Sequence, residues 1–244
     1  MTNKKQARQQ YQQFRAVGRK VNDELIGKLP RGAIKACGKR LDVFKKGALV
    51  LDEEELPLFV DYCLYHYRTG GRNTIEAALA DDLYPPGSEE RTVLEVEKQA
   101  CPSLFEVERA ERGYGIHAYE LLGERSIFIM DLAFSRSARP GLVMSANLIP
   151  LSDFYLTTGA AFLLDGRALR QAEVKIERWE NRVREIDWND LPPERSDRLA
   201  TILVRAALDH GVMARMLYVD EDELRTVMER GKRRGEGQCP RKKE

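Results

Sequence analysis

The chain has 244 residues, of which 43% are hydrophobic and 32% are charged. This composition is apolar enough to bury the core of one or two domains and excludes a disordered protein. No stretch approaches the roughly 18 to 20 consecutive apolar residues that span a membrane, and the polar N-terminus lacks the apolar core of a signal peptide. We therefore expect a soluble, cytoplasmic protein that makes no membrane contact.

The net charge of +1 conceals an uneven distribution. Residues 1–46 contain 13 basic and three acidic residues. Residues 225–244 contain eight basic and three acidic residues, and the remaining 178 residues contain 19 basic and 33 acidic residues. Two basic ends therefore flank an acidic body. Basic ends are typical of segments that contact polyanions, although a solvated charged face is the plainer interpretation.

The cysteines are far apart in the sequence, at Cys37, Cys63, Cys101 and Cys239. Because there is no CxxC pair, the pattern predicts free thiols in a reducing compartment. Cys63 and His66 would share one helix face, but a structural zinc site needs four ligands and no further pair lies nearby. We therefore predict neither a metal nor a cofactor.

Residues 2–28 predict a helix with a narrow apolar stripe, because Tyr11, Phe14, Val17 and Val21 recur at three- and four-residue steps. This stripe would pack on the body of the chain or dock on a partner protein. Basic residues lie on the other face of this helix, and more follow in a short segment, residues 33–41, after a helix break at Pro30 and Gly32. We predict nucleic-acid contacts from these basic residues: Lys4, Lys5, Arg8, Arg15, Arg19, Lys20, Lys35, Lys39 and Arg40.

Residues 47–102 are predicted to be mainly helical after a short apolar strand. The acidic run at 52–55 either places Asp52 as the cap of a helix that begins near Pro57 or contributes to a metal site. The cap is favoured, since no second acidic cluster has the form of a calcium loop. Two shorter helices follow, and Ser88 is the expected cap of the second.

Residues 103–165 contain five short runs rich in β-branched and aromatic residues, separated by turn-forming segments. This spacing predicts a compact antiparallel sheet or a small barrel. Gly123 would adopt the positive φ of a tight hairpin, and Pro140 followed by Gly141 suits a type II turn. Phe128 lies between two isoleucines in a run apolar enough to be buried on both faces.

Two amphipathic helices are predicted after the β module, and a last helix from Asp220 precedes a polar, basic tail. The chain is therefore an α+β protein in this interpretation, with a small antiparallel five-stranded β module between helical parts. It is expected to have five parts: a basic helical arm (1–46), a helical region (47–102), the β module (103–165), a second helical region (166–232) and a flexible basic tail (233–244).

Catalytic fingerprints are missing from the sequence, and its three histidines lie in different segments. Arg136 and Arg139 would hold phosphate oxygens in their guanidinium forks or pair with acids of the module, and we add both to the predicted nucleic-acid contacts. An enzyme that uses Asp131, Arg136 and His117 is the least favoured interpretation. The densest polar group of the module comprises Asp131, Ser135, Arg136, Ser137 and Arg139, with Thr157 and Thr158 close by if the barrel closes.

The segments YELLGERSIFIMD, SRSARPG and LIPLSDFYLTTGA resemble a module of uncharacterised bacterial proteins. In those proteins a small β domain follows a helical N-terminal part and sometimes precedes a cysteine-rich SEC-C zinc motif. The resemblance covers residues 47–165 and implies a fold module without an assigned activity. Because Cys239 is the only cysteine of the tail, neither the zinc motif nor a role inferred from it carries over to this chain.

Two hypotheses follow from these patterns. The first is a non-enzymatic accessory protein that binds RNA or a ribonucleoprotein through its basic ends, although the acidic body would repel phosphate. Surface aromatics of the barrel would stack on single-stranded bases, with Tyr114, Tyr119, Phe154 and Tyr155 as candidates. The second is a scaffold component whose N-terminal helix docks on a protein partner through its apolar stripe.

Overall fold

The computed structural model describes residues 4–30, 32–183 and 185–210. The described residues form seven helices: α1 (Lys4–Gly27), α2 (Ala33–Arg40), α3 (Leu56–His66), α4 (Thr74–Ala80), α5 (Glu89–Glu97), α6 (Gly166–Glu180) and α7 (Pro193–Asp209). They also form eight strands: β1 (Phe44–Lys45), β2 (Ala48–Leu49), β3 (Cys101–Glu111), β4 (Gly115–Glu120), β5 (Arg125–Met130), β6 (Val143–Leu151), β7 (Phe154–Thr157) and β8 (Phe162–Leu163). The helix predicted from Asp220 and the basic tail lie outside the described residues.

Local capping explains where several helices begin. Asn73 and Glu76 form a capping box at the start of α4, and the Ser88 side chain caps α5 as predicted. The prediction that Asp52 caps α3 is wrong, because the residue before α3 is Glu55. The Glu55 carboxylate instead accepts a hydrogen bond from the backbone N–H of Asp52 and closes the acidic run into a turn. Within the described ranges, no group of three or more His, Cys, Asp or Glu residues could hold a metal.

The central element is a closed five-stranded barrel with the strand order β3-β4-β5-β7-β6-β3. The long strand β3 closes it, because Phe105 is paired with Glu120 on β4 and with Met144 on β6. The predicted α+β class and the barrel are therefore confirmed. β8 pairs with the start of β6 and extends the sheet, and β1 and β2 form a separate hairpin.

One strand pair departs from the antiparallel prediction. β5 and β7 run parallel and pair at Ile129 and Tyr155, because the chain crosses over after β5 and returns through the β6–β7 hairpin. A five-stranded barrel whose third and fifth strands are parallel neighbours has the Greek-key connectivity of the OB-fold. The crossover contains a single 3-10 turn at Phe134–Arg136.

Glycines shape two of the turns, but only one as predicted. Gly141 has a φ of 83°, as the Pro-Gly pair indicated, whereas the positive φ expected at Gly123 is adopted by Glu124, at 51°. Gly123 instead lets two polar side chains approach the turn closely. A Cβ atom there would lie 2.5 Å from Glu120 Oε2 and 2.7 Å from Asn189 Oδ1.

Apolar side chains fill the barrel and join it to the helices. α1 lies on the outside of the barrel, where Ala7 and Tyr11 form one buried cluster with Met130, Phe154 and Leu156. Helices from both ends of the chain, α2, α3, α6 and α7, share another cluster. None of the helices in the described part of the chain combines the length and the apolar character needed to cross a bilayer. The barrel interior contains Phe105, Val107, Ile116, Ala118, Ile127, Ile129, Met144, Ala146 and Leu148.

Candidate functional site

A basic groove lies where the start of α1 meets the tip of the β3–β4 hairpin. Lys4 fixes this junction, because its Nζ lies 2.7 Å from Glu111 Oε2 and 5.0 Å from the centre of the Tyr114 ring. The groove is open and has a volume of about 490 Å³. It contains four cationic side chains and one acid. Its lining residues are Lys4, Lys5, Arg8, Glu111, Arg112, Gly113 and Tyr114.

A row of partly exposed rings continues from this groove along the outer face of β4 and β5. The ring centres of Tyr114 and Phe128 are 5.4 Å apart, and those of Phe128 and His117 are 4.8 Å apart. Tyr119 is 36% exposed and lies further along β4. The rings of Tyr114, Phe128 and His117 therefore form a continuous aromatic row, which we call the ring platform.

Gly115 is what allows the ring platform to form. A Cβ atom at this position would lie 2.6 Å from Phe128 Cζ and 2.5 Å from the carbonyl oxygen of Ile129. The Phe128 ring thus lies over the bare backbone of Gly115, and Gly115 is directly opposite Glu111 in the β3–β4 pair. The platform and the Glu111 carboxylate are therefore neighbours.

Glu111 connects the groove to the platform. Besides Lys4, it contacts His117, whose Nε2 lies 2.9 Å from Glu111 Oε1, and Arg109, whose Nη1 lies 3.5 Å from the same oxygen. The hydrogen bond from Lys4, followed by that from His117, lowers the pKa of Glu111 to about 2. Glu111 is consequently ionised at neutral pH, and it is the one acid among the lining residues of the groove.

The crossover between β5 and β6 lies against the same hairpin. The Ser135 hydroxyl accepts a hydrogen bond from the Gly113 N–H at 3.0 Å. This bond ties the crossover to the hairpin turn, and the next residue, Arg136, is exposed. Asp131, a candidate catalytic residue, is buried, and its carboxylate accepts the backbone N–H groups of Ala133 and Phe134. That carboxylate therefore holds the backbone at the entry to the 3-10 turn.

Two of the predicted nucleic-acid contacts, Arg15 and Arg40, make hydrogen bonds within the fold. Arg15 donates to the carbonyl oxygen of Thr157 at 2.7 Å and to its hydroxyl at 2.9 Å, so it fastens α1 to β7. Arg40 donates to the carbonyl oxygen of His66 at 3.1 Å. Thr157 and Thr158 are both buried. Arg15 and the two threonines therefore serve the packing of the chain.

The other predicted basic residues are exposed at different places. Arg19 and Lys20 lie on the second half of α1, Lys35 and Lys39 lie on α2, and Arg139 lies in the β5–β6 connection. The predicted set is thus divided among several surfaces, and only Lys4, Lys5 and Arg8 line the groove.

The apolar stripe of α1 packs on the chain's own body. Tyr11 and Val21 are buried, and Phe14 and Val17 are partly buried against the same clusters. Docking on a partner through this stripe would require α1 to leave the barrel. Of the predicted surface aromatics, Phe154 is also buried beneath α1, which makes it a core residue.

Sequence reasoning missed three components of the site, namely Glu111, Arg112 and Phe128. Arg112 lies in the hairpin turn and lines the groove, but a single arginine in a turn carries no pattern. The sequence pattern predicts that the strand of Phe128 is buried on both faces, whereas the Phe128 ring lies partly exposed on the outer face of the barrel. The alternation with Ile127 and Ile129, which both point into the barrel, was the signal that would have placed it outside.

A second polar network lies inside the protein between α3, β6 and α7. Asn147 donates to Asp61 at 2.7 Å, and its side-chain oxygen lies 2.9 Å from His66 Nε2. His66 Nδ1 lies 3.1 Å from Asp197, which also accepts from Arg68 Nε at 2.8 Å. The cavity beside Asp61 and His66 measures about 10 Å³, which is room for no more than one water molecule. This network therefore holds elements together and offers no space for a substrate.

Two buried carboxyl groups in this region have raised pKa values. Burial raises the pKa of Asp61 to about 6. Burial, and secondarily the charge of Asp61, raises the pKa of Glu97 to about 8. Glu97 lies beneath α1, where a Cβ atom on Gly18 would lie 3.3 Å from Glu97 Oε1. Among the described residues its Oε2 atom has no hydrogen-bond partner.

The described cysteines are free thiols, as predicted. Cys37 and Cys63 are buried neighbours, and the hydrogen bond between their thiols raises the pKa of Cys63 and lowers that of Cys37. The pairing of Cys63 with His66 at a metal has no support here, since both ring nitrogens of His66 face side-chain oxygens. Cys239 lies outside the described residues.

The fold and the site define an α+β protein in which helices surround a five-stranded barrel with a basic and aromatic outer face. The model of a family of unknown function, DUF7986, matches residues 5–186, and the chain belongs to this family. Comparison with curated proteins and with solved structures gives no match. The resemblance to modules that precede an SEC-C motif stays a prediction.

Proposed function

We propose that this is a non-enzymatic accessory protein that binds RNA or a ribonucleoprotein, with the groove and the ring platform as its nucleic-acid interface. The observation that carries the proposal is the junction at Lys4, which brings a basic helix end and a row of rings together on one barrel face. Neither feature alone distinguishes a binding surface from a solvated one.

The charge of the groove supports contact with phosphates. Lys4, Lys5, Arg8 and Arg112 surround one open groove, whereas the chain as a whole carries a net charge of only +1. A local cluster of this kind attracts a polyanion even when the rest of the body is acidic. Its contribution to binding should fall steeply with added salt, because phosphate contacts release counterions.

The rings support contact with bases. Stacking on an aromatic side chain contributes about 1–3 kcal/mol per base and tolerates any sequence, because every base has a flat face. In OB-fold barrels, oligonucleotides bind across the second and third strands and the loop between the first and second. The corresponding elements here are β4, β5 and the hairpin tip at Arg112 and Gly113.

The proposal is tested with a fluorescent oligouridine of about 12 nucleotides, whose binding is followed by anisotropy at about 50 and 200 mM salt. The double variant Lys5→Ala/Arg8→Ala removes two groove charges. Because each phosphate contact on a single strand contributes about 0.7 to the slope of log affinity against log salt, this variant should lower the slope by about 1.4.

A matched control removes two exposed charges from the helix α6, in the double variant Arg170→Ala/Arg178→Ala. We expect this control to bind as the wild type does. Equal affinities and slopes for the groove variant and the α6 variant would refute the proposal, as would the absence of salt-dependent binding by the wild-type protein.

A further inference from the structure

Glu111 is the one acidic residue in a groove whose other charged lining residues are all basic. It neutralises Lys4 and contacts His117, so it weakens the attraction for phosphate that the rest of the groove provides. The contact with Lys4 fastens the start of α1 to the hairpin. The position of Glu111 at the edge of the ring platform points to a second role.

Resting on the proposed function, we infer that Glu111 reads an unpaired guanine that stacks on the ring platform of a bound single strand. The platform is three rings long, and Glu111 touches it at His117 and, through Lys4, at Tyr114. The residue opposite Glu111 is Gly115, whose missing side chain lets the Phe128 ring lie directly on the strand backbone beside the carboxylate. A base lying on these rings would present its edge to the carboxylate.

Guanine is the base that fits a carboxylate best. Its Watson–Crick edge offers two adjacent donors, N1–H and the 2-amino group, whereas adenine and cytosine each place an acceptor beside their amino group. Uracil has one N–H between two carbonyl groups. An ionised carboxylate only accepts hydrogen bonds, at about four lone-pair positions. Glu111 uses two of these in its close contacts with Lys4 and His117, and a third in a 3.5 Å contact with Arg109. Guanine would replace Arg109, whose side chain is largely exposed.

The reading of a Watson–Crick edge requires an unpaired base. In a duplex that edge is occupied by the opposite strand, and the stacked bases present no free face to a protein ring. Glu111 and the platform therefore select a single strand and, within it, a guanine. The groove cations hold the flanking phosphates in this arrangement.

Three labelled oligoribonucleotides of equal length test the inference: all uridine, uridine with one central guanosine, and uridine with one central inosine, which lacks the 2-amino group. The wild-type protein should bind the guanosine strand roughly 5- to 150-fold more tightly than the uridine strand, the range expected of a bidentate pair. Inosine should lie between them. Glu111→Gln should abolish most of the preference, because the glutamine amide presents a donor where guanine needs an acceptor.

The control is Glu108→Gln, since Glu108 is an exposed acid of the same strand, and it should retain the preference for guanosine. If the wild type binds all three strands equally, or if Glu111→Gln keeps the preference, the inference is wrong while the proposed function stands. If none of the strands binds, the proposed function itself fails.

Discussion

Glu97 provides a quantitative test of how the helix α1 is held on the body. Its side chain is 2% exposed, and its pKa is raised to about 8 from the ordinary 4.5. Below pH 4.5 the carboxyl group is protonated in both the folded and the unfolded chain, so the free energy of unfolding gains nothing from its titration. Between pH 4.5 and 8 the unfolded chain loses this proton and the folded chain keeps it. Stability that is fully present at low pH is therefore lost as the pH rises towards 8.

The size of this loss follows from the difference between the two pKa values. One pKa unit corresponds to about 1.4 kcal/mol, so the loss amounts to roughly 3 kcal/mol at pH 7 and at most about 5 kcal/mol at pH 8. Glu97→Gln keeps the shape of the side chain and does not titrate. The variant should therefore become more stable relative to the wild type as the pH rises from 5 to 8.

Urea unfolding followed by circular dichroism at pH 5, 6, 7 and 8 measures this difference directly. Glu95→Gln is the matched control, because Glu95 is an exposed acid of the same helix, and its difference from the wild type should change little with pH. A difference between Glu97→Gln and the wild type that stays constant from pH 5 to 8 would refute the assignment of a raised pKa to Glu97.

Three further variants test the packing around the barrel. Asn147→Leu removes the partner of both Asp61 and His66 and should lower the free energy of unfolding by about 2–5 kcal/mol; an unchanged urea midpoint would contradict the network. Gly115→Ala places a Cβ atom against Phe128 and the Ile129 carbonyl. It should lower the free energy of unfolding by about 1–3 kcal/mol and weaken oligouridine binding. If stability and oligouridine affinity both equal those of the wild type, the ring platform does not depend on Gly115. Deleting residues 1–28 should expose the apolar barrel face at Phe154 and Leu156. Binding of a hydrophobic dye would detect the new apolar surface, and light scattering would detect aggregation. A monomeric body with an unchanged melting temperature would show that α1 is dispensable for the fold.

The strands were predictable because their signal is local. Each of the five runs between residues 103 and 165 coincides with at least one strand of the barrel, since turn residues and apolar alternation both act over a few positions. The parallel pairing of β5 with β7 was not predictable in this way. It depends on where the chain crosses the barrel end, and the sequence pattern of a strand does not encode its neighbour.

The site shows the same division between local and distant information. The basic character of α1 is legible from composition, but the sequence cannot distinguish Arg8, which lines the groove, from Arg15, which fastens the helix to Thr157. Both are arginines on one helix, and the difference arises from what lies opposite them. Asp61, His66 and Asp197 form one network, although up to 136 residues separate them along the chain. Because they are so far apart in the sequence, no short motif predicts this network.

The most direct test of the central claim is ultraviolet crosslinking of the full-length protein to a single-stranded oligouridine that contains one guanosine, followed by mass spectrometry of the crosslinked peptides. We predict crosslinks in the hairpin and strand peptides that carry Tyr114, His117 and Phe128, and their loss in the Lys5→Ala/Arg8→Ala variant. Crosslinks confined to α2 or to residues 211–244, with none on β4 or β5, would contradict the assignment of this barrel face as the nucleic-acid interface.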